Sequence, residues 1–486
     1  MNPNELHALP ATEVARLIRT GEVSAVDVTE AALDQIHTLD DQLHAFCELT
    51  ADQARQQARA VADAVARGET LGPLAGVPIA VKDLIATKGI PTRCGSPAYR
   101  DFIPDEDDVV VERVKAAGAV VLGKTTVPEL GYSGVGHSPV SPTARNPWDP
   151  AMTPGGSSAG SGVAVAAGMA PLALGSDGGG SIRIPAAHCG VYGFKASMGR
   201  VPLYPGCRDD RYPGISSWES LEHIGPLTRT VDDAALLMSV LAGPDPRDRH
   251  SIPCDDVSWL TAPRGGIKGL RVAFSADWGY LAVDPAVREI AARAAQVFAD
   301  DLGCEVVEAD PGWEDPFEAF WSLVVADTDL SGMRELVRRH GHEMSPHLVE
   351  LLGKPWTAEQ LTDADTARKR LVNHMWRFMA DYDLLLTPTL TVPAFPVHVQ
   401  GPEVVDGRMV PPTAWLGFTS PINMTGQPAA SVPAGFTSAG LPVGLQIVGR
   451  HLADASVLRA SAAFEAAAPW AQRWPTLART PEGVAA

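Results

Sequence analysis

The sequence predicts an α/β protein whose central sheet is at least partly parallel. Two observations carry this. Between residues 74 and 175, apolar runs of strand length alternate with helix-patterned segments. Glycine and proline mark most of the boundaries between them. The length of 486 residues fits one large α/β unit or two modest ones.

Taken in order, the first seventy residues read as helical. Ser24, with Asp27 three positions on, makes a capping signature, and Val28, Ala31, Ala32, Ile36 and Leu39 follow near helical spacing. Leu74 to Asp83 is an apolar run after a Gly/Pro break and predicts a buried strand. Asp107 to Ala117 predicts a helix closed by Gly118, and Ala119 to Leu122 a strand. Residues 146–162 predict a loop rich in Gly, Pro and Ser, running into a small-residue helix at Gly162 to Met169. Pro171 to Gly175 then reads as a short buried strand. It leads through Ser176-Asp177-Gly178-Gly179-Gly180 to Ser181, where a helix begins. Residues 205–218 read as a loop with Asp209, Arg211 and Tyr212 among its charged and aromatic members. Residues 280–380 are helical in pattern, Leu384 to Pro388 is a late strand, and a glycine-rich loop (Asn423 to Pro433) precedes a strand at Pro442 to Gly449. Neither an internal repeat nor a low-complexity linker interrupts the chain. One continuous domain over 1–486 is expected, with an N-terminal helical portion at 1–70 and a peripheral helical portion at about 280–380.

Composition narrows the function. Hydrophobic residues make up 45% and charged residues 20%, as in an ordinary soluble globular protein. The formal net charge of −19 supplies no basic surface for nucleic acid and reads as a solvated acidic exterior. No apolar run approaches the ~20 residues that cross a bilayer, so no membrane contact is expected. Met1 to Glu5 has neither a basic start nor an apolar h-region, so no secretory signal is expected. The six cysteines form no C-x-x-C pair, which argues against a zinc or redox motif. A cytoplasmic protein with reduced thiols is expected.

The strongest local signal is three glycines before Ser181. Glycine admits backbone conformations closed to other residues, and successive N–H groups in such a turn can converge on an anion. Beside a serine hydroxyl they form an oxyanion hole for acyl transfer. A phosphate-binding loop or a plain tight turn remains open on this motif alone. Gly156-Ser157-Ser158-Ala159-Gly160 matches the G-x-S-x-G elbow of α/β-hydrolases. That motif needs a strand before it, and Pro147, Pro150 and Pro154 exclude one. Lys82 ends an apolar run. Desolvation lowers the pKa of a buried lysine by up to roughly 3–5 units, which would let it act as a base.

The blocks Gly155-Gly156-Ser157-Ser158-Ala159-Gly160-Ser161-Gly162 and Gly175-Ser176-Asp177-Gly178-Gly179-Gly180-Ser181-Ile182-Arg183 resemble the amidase signature family. The resemblance extends upstream through Gly76 to Asp83 and Leu122 to Thr125, and downstream through Gly225 to Leu227 and Asn423 to Ala429. It covers about residues 10–470. It implies the amidase signature fold, a mixed central β-sheet surrounded by α-helices, and a Ser–cis-Ser–Lys triad. Carried over by position, the nucleophile is Ser181, the cis-serine Ser157 and the base Lys82, with the two serines at the family's separation of 24 residues.

The oxyanion donors implied are the backbone N–H groups of Gly178, Gly179, Gly180 and Ser181. Ser158 is expected to support the triad by hydrogen bonding, and Asp177 either to pair with Arg183 or to cap the turn that follows it. Tyr132, Ser133 and Gly134 are expected at the substrate, with residues 205–218 and 313–321 as further pocket candidates and Trp321 assigned to the core. His188 departs from the family's apolar pattern and is expected to be a packed, hydrogen-bonded histidine. Gly178 stands where threonine is common, and Lys195 to Arg200 departs from the usual K-P-T pattern.

The function implied is two-step amide hydrolysis of a small-molecule amide, extending to esters or carbamates. Neither a metal nor an organic cofactor is implied, and the protein is expected as a monomer or homodimer. The alternatives are the glutaminase subunit of a tRNA-dependent amidotransferase and a non-catalytic binding protein on the same fold.

Overall fold

The computed structural model describes residues 3–206, 209, 211–215 and 217–478. Its strands are β1 (Phe46–Leu49), β2 (Pro78–Lys82), β3 (Val120–Thr125), β4 (Leu172–Ser176), β5 (Tyr192–Lys195), β6 (Ile224–Thr228), β7 (Arg271–Phe274), β8 (Glu305–Glu308), β9 (Leu384–Pro388), β10 (Val404–Val405), β11 (Arg408–Met409), β12 (Ala429–Phe436) and β13 (Pro442–Gly449). All but the β10–β11 hairpin join one 11-stranded sheet in the order β1-β3-β2-β4-β6-β5-β12-β13-β9-β7-β8. Pairing of β2 with β3 and β4, and of β7 with β8 and β9, is parallel. The remaining pairs of this sheet are antiparallel, so it is mixed, as expected.

The central strands β2, β3, β4, β5, β6 and β9 are buried at every residue. Helices cover both faces, which is why these strands read as continuous apolar runs rather than alternating ones. At one edge β8 presents Glu305 and Glu308 to solvent, charge that discourages further strand pairing. Ser24 caps the helix Ala25–Leu43 by accepting from Val26 N–H at 3.1 Å.

Four segments differ from the sequence reading. Phe46–Leu49 is an edge strand within the stretch read as helical, because it pairs antiparallel with β3. Glu305–Glu308 is a strand inside the helical portion, added parallel to β7. β12 begins at Ala429, within the segment read as a loop. Its Pro433 is accommodated where the register shifts between Pro433 and Gly435, the irregularity at which a sheet tolerates proline. The small-residue helix runs Ala159–Ala166, starting three residues earlier than expected, and is buried at every position.

The helices Pro285–Asp300, Phe317–Ala326, Leu330–His340, Pro346–Gly353 and Ala358–Asp381 make up most of the 280–380 portion. Several of them build a second core around Phe320, Leu323, Met333, Leu348 and Met375. Among the described residues no helix is long and apolar enough to cross a membrane. Cys47, Cys94, Cys189, Cys254 and Cys304 are unbridged; Cys207 lies outside the described residues, as do Arg208 and Asp210 of the loop singled out above.

Candidate active site

Parallel strands end on the same side of a sheet, and ligands in open α/β sheets gather beyond those ends. β2 and β4 are parallel neighbours, with Val81 opposite Leu174. Their last residues, Lys82 and Ser176, therefore emerge side by side. Lys82 is fully buried. Its Nζ donates to Ser157 Oγ at 2.8 Å, to Ser176 Oγ at 2.7 Å and to the Ser176 carbonyl at 3.1 Å. The neighbouring strand carries a second buried lysine, Lys124, which is turned elsewhere. It bonds the Ile85 carbonyl and Thr92 Oγ1 and lies 3.8 Å from Asp83.

Ser157 sits in the glycine- and serine-rich loop that enters the buried helix Ala159–Ala166. The Gly156–Ser157 peptide is cis, as the family resemblance implied. No strand precedes this loop directly, so the elbow reading fails on structure as it did on sequence. Ser158 ties the two halves of the motif together. Its N–H donates to the Ser181 carbonyl at 3.2 Å, its Oγ donates to the Ser176 carbonyl at 3.1 Å, and the same Oγ accepts from Ser176 N–H at 3.2 Å.

Ser181 follows the glycine turn, and its side chain opens on the cavity that Ser157, Ser176 and Gly178 also line. Gly180 adopts a φ of +130°, and a Cβ there would run into Thr419. Glycine is required at this position on both counts. Thr419 Oγ1 donates to the Gly179 carbonyl at 2.7 Å and so braces the turn from the far side.

The expectation for the backbone donors is corrected at one position. Gly180 N–H donates to Asp177 Oδ1 at 2.7 Å, and Ile182 N–H to Asp177 Oδ2 at 3.2 Å. A buried carboxylate demands such donors, and Gly180 supplies one of them. Gly178, Gly179 and Ser181 keep N–H groups that no acceptor among the described residues engages.

Asp177 and Arg183 form a fully buried two-pronged pair, Nε to Oδ2 at 2.9 Å and Nη2 to Oδ1 at 2.9 Å. The remaining Arg183 hydrogens go to the Thr419 carbonyl, Gln446 Oε1 and Asn423 Oδ1. Asn423 Nδ2 returns to Asp177 Oδ1 at 2.8 Å. Burial, the largest single effect, pushes the Asp177 carboxyl up, but Arg183, with Lys195 and Asn423 adding to it, outweighs burial and holds the carboxyl well below the usual range. This network fixes the glycine turn against the helix Arg183–Cys189.

Tyr132, Ser133 and Gly134 line a larger cavity of about 450 Å³ that meets the first at Gly131, Ser181 and Trp218. Tyr132 packs edge-on against Trp218 at 4.9 Å, and its hydroxyl bonds Thr328 Oγ1 at 2.7 Å. Ser133 Oγ donates to Gln400 Oε1 at 2.7 Å. The helix Phe317–Ala326 presents Phe317, Phe320 and Trp321 at i, i+3 and i+4, and all three lie on the cavity wall. Trp321 is half-buried and packs against the second core as expected while also forming cavity wall, whereas Trp313 stacks on Trp278 in the core at 4.3 Å.

His188 lies outside both cavities. It stacks on Trp415 with ring centroids 5.6 Å apart and reaches the Val392 carbonyl only at 3.5 Å. Its Nδ1 has no partner among the described residues. The packing is as expected and the hydrogen bonding is weaker. The sequence reading assigned no individual role to Ser176, Thr419, Trp218 or Glu222. Asn423 lay within a recognised block, and Trp218 closed a flagged loop. Nothing local singled out Glu222. Among the described residues no set of three or more His, Cys, Asp or Glu side chains converges to hold a metal.

Comparison with known proteins shows what the whole chain resembles. A family model described as Amidase matches residues 27–458. An acylamidase of Rhodococcus erythropolis is 39% identical, over 98% of both chains. A glutamyl-tRNA(Gln) amidotransferase subunit of Chloroflexus aurantiacus is 36% identical over 97% of this chain and 99% of its own. The crystal structure of a bacterial aryl acylamidase of the amidase signature family superposes with a TM-score of 0.90 at 32% identity, covering 98% of this chain and 99% of its own.

Proposed function

The chain belongs to the amidase family and hydrolyses amides, and on that premise we propose that it is a free-standing acylamidase with Ser181 as nucleophile, Ser157 as bridge and Lys82 as base. In the reaction, Ser181 Oγ gives its proton to Ser157 while Ser157 gives its own to Lys82 Nζ. Ser181 Oγ bonds to the carbonyl carbon, and the π pair moves onto the oxygen. The N–H groups of Gly178, Gly179 and Ser181 receive that oxyanion. Lys82 returns a proton through Ser157 to the amine as the C–N bond breaks, and water releases the acid by the same route.

The observation that carries this reading is the 2.8 Å contact between a buried lysine and Ser157, which lines the same cavity as Ser181. The aromatic wall of Tyr132, Trp218, Phe317, Phe320 and Trp321 favours an aryl or alkyl substituent on the substrate. The same relay extends to esters and carbamates, whose carbonyl passes through the same tetrahedral state.

The second reading, the glutaminase component of an amidotransferase, draws on the 36% identity to such a protein. The aromatic wall favours the first, since a glutamine side chain offers nothing for it to cover. A panel of anilides, primary amides, carbamates and esters ranked by kcat/KM tests the proposal. Purified protein alone is expected to turn over anilides. Activity on glutamine alone, and only with added subunits, would favour the second reading.

A further inference from the structure

Antiparallel pairing of β4 with β6 sets Ser176 opposite Ile224. Glu222, two residues upstream, is thereby carried to the turn that follows β4. The backbone is locked there, with Asp177 N–H donating to the His223 carbonyl at 2.7 Å and His223 N–H to the Asp177 carbonyl at 3.1 Å. The Glu222 carboxylate packs against Gly178 so closely that a Cβ on that glycine would meet Oε2 at 2.5 Å. It lines the same cavity as Ser157, Ser176 and Ser181, and the Ser176 side chain helps to lower its carboxyl against the effect of burial. Ser176 Oγ in turn accepts from Lys82 Nζ at 2.7 Å. A hydroxyl that accepts from an amine has its own proton left to donate, and a carboxylate is the strongest acceptor available for it. Ser176, bonded to Lys82, and Glu222 therefore line one cavity, with the Ser176 hydroxyl proton free to turn toward the carboxylate.

We propose that Glu222 is a positioning residue for amide hydrolysis, holding through the Ser176 hydroxyl the Lys82 ammonium that forms when Ser181 is deprotonated. The proposal rests on the relay described above. Glu222 takes no proton in the cycle. Its negative charge stabilises the positive charge that appears on a buried nitrogen in the first transition state and disappears when the amine leaves.

Other charged groups face this carboxylate. Asp177 lies on the same turn and Asp108 on the cavity wall. His223 adjoins it and is bonded to the buried Lys195 at 3.3 Å. Asp248 and His250 lie across a small recess behind it. Lys82, beyond these, is the cation whose field lowers the Glu222 carboxyl. Burial, the larger effect, raises that carboxyl, and Asp177 raises it further.

The test is the pH profile of kcat/KM for a chromogenic anilide in wild type, Glu222→Gln and Glu222→Asp. Removing the charge disfavours the ammonium form of Lys82, so the acid limb moves to lower pH. In Glu222→Gln the limb is expected to fall by about one pH unit. The kcat is expected to drop about 10- to 100-fold, with KM changed less than about threefold. Glu222→Asp, which keeps the charge, restores the limb to within a few tenths of a unit even if its kcat stays low. A limb that does not move in Glu222→Gln, or an unchanged kcat, overturns the proposal, and near-UV circular dichroism distinguishes misfolding from either result. Full activity in Lys82→Ala would overturn the relay and this inference together. Loss in Lys82→Ala with an unmoved limb in Glu222→Gln would overturn this inference alone.

Discussion

Lys82 Nζ stands 2.8 Å from Ser157 Oγ at a site where the lysine has no exposure to water. An amine in that position is desolvated, which disfavours its charged form, and it is aligned on a hydroxyl that shares a cavity with Ser181. Under the relay proposed above, the pair is a proton path with one end sealed inside the protein and the other open to substrate.

Cutting that path stops the chemistry without dismantling the fold. Lys82→Met keeps the buried volume and loses the base, and Ser157→Ala loses the bridge. Each is expected to lower kcat by at least about 10²- to 10⁴-fold, the usual worth of a positioned acid–base group. Thermal unfolding should show a single cooperative transition in both, measured beside steady-state kinetics on an anilide.

Arg183 is fully buried and shares two hydrogen bonds with the fully buried Asp177. Arg183→Met leaves that carboxylate without a countercharge, a change that costs about 3–5 kcal/mol. Urea unfolding is the measurement. Arg183→Lys is expected to recover only a minor part, because an ammonium cannot reproduce the planar two-pronged contact.

At Gly180 a side chain meets both a strained backbone, φ +130°, and Thr419. Gly180→Ala is expected to cost about 1–3 kcal/mol. The turn carries the N–H groups of Gly178, Gly179 and Ser181, so kcat should fall at least about tenfold while KM holds.

Burial pushes the His188 imidazole down to about 4. A group whose folded value is depressed stabilises the fold fully above its unfolded value, near 6.5, and loses that contribution as pH falls toward 4. His188→Phe keeps the stacking on Trp415 and removes the titration. The stability of wild type relative to this variant should fall by up to about 3 kcal/mol between pH 6.5 and 4, read from urea unfolding at several pH values. A constant difference across that range would contradict the assignment.

Much of the site was legible in sequence because its parts are local. Three glycines before a serine constrain the backbone wherever they occur, and the apolar run ending at Lys82 foretold a buried strand that delivers a lysine inward. What escaped depends on sheet register. Ser176 meets Lys82 because β4 lies parallel to β2, and Glu222 reaches that same end because β6 runs antiparallel to β4. Neither orientation is written in the strands themselves, which are apolar apart from their last residues. Gly180 was misread as an oxyanion donor because a carboxylate three residues upstream turns back and takes its N–H. The cavity-facing side of Trp321 escaped because helical spacing identifies a shared face without telling whether that face meets core, cavity or both.

The central claim is that Ser181 carries the acyl group. Intact-protein and peptide mass spectrometry after rapid quenching with a slowly hydrolysed aryl ester, or after a serine-directed sulfonyl fluoride, tests it directly. The account predicts one adduct, on the peptide bearing Ser181, absent in Ser181→Ala and slowed at least about 100-fold in Lys82→Met. An adduct on Ser157 or Ser158, or full turnover in Ser181→Ala, would contradict it.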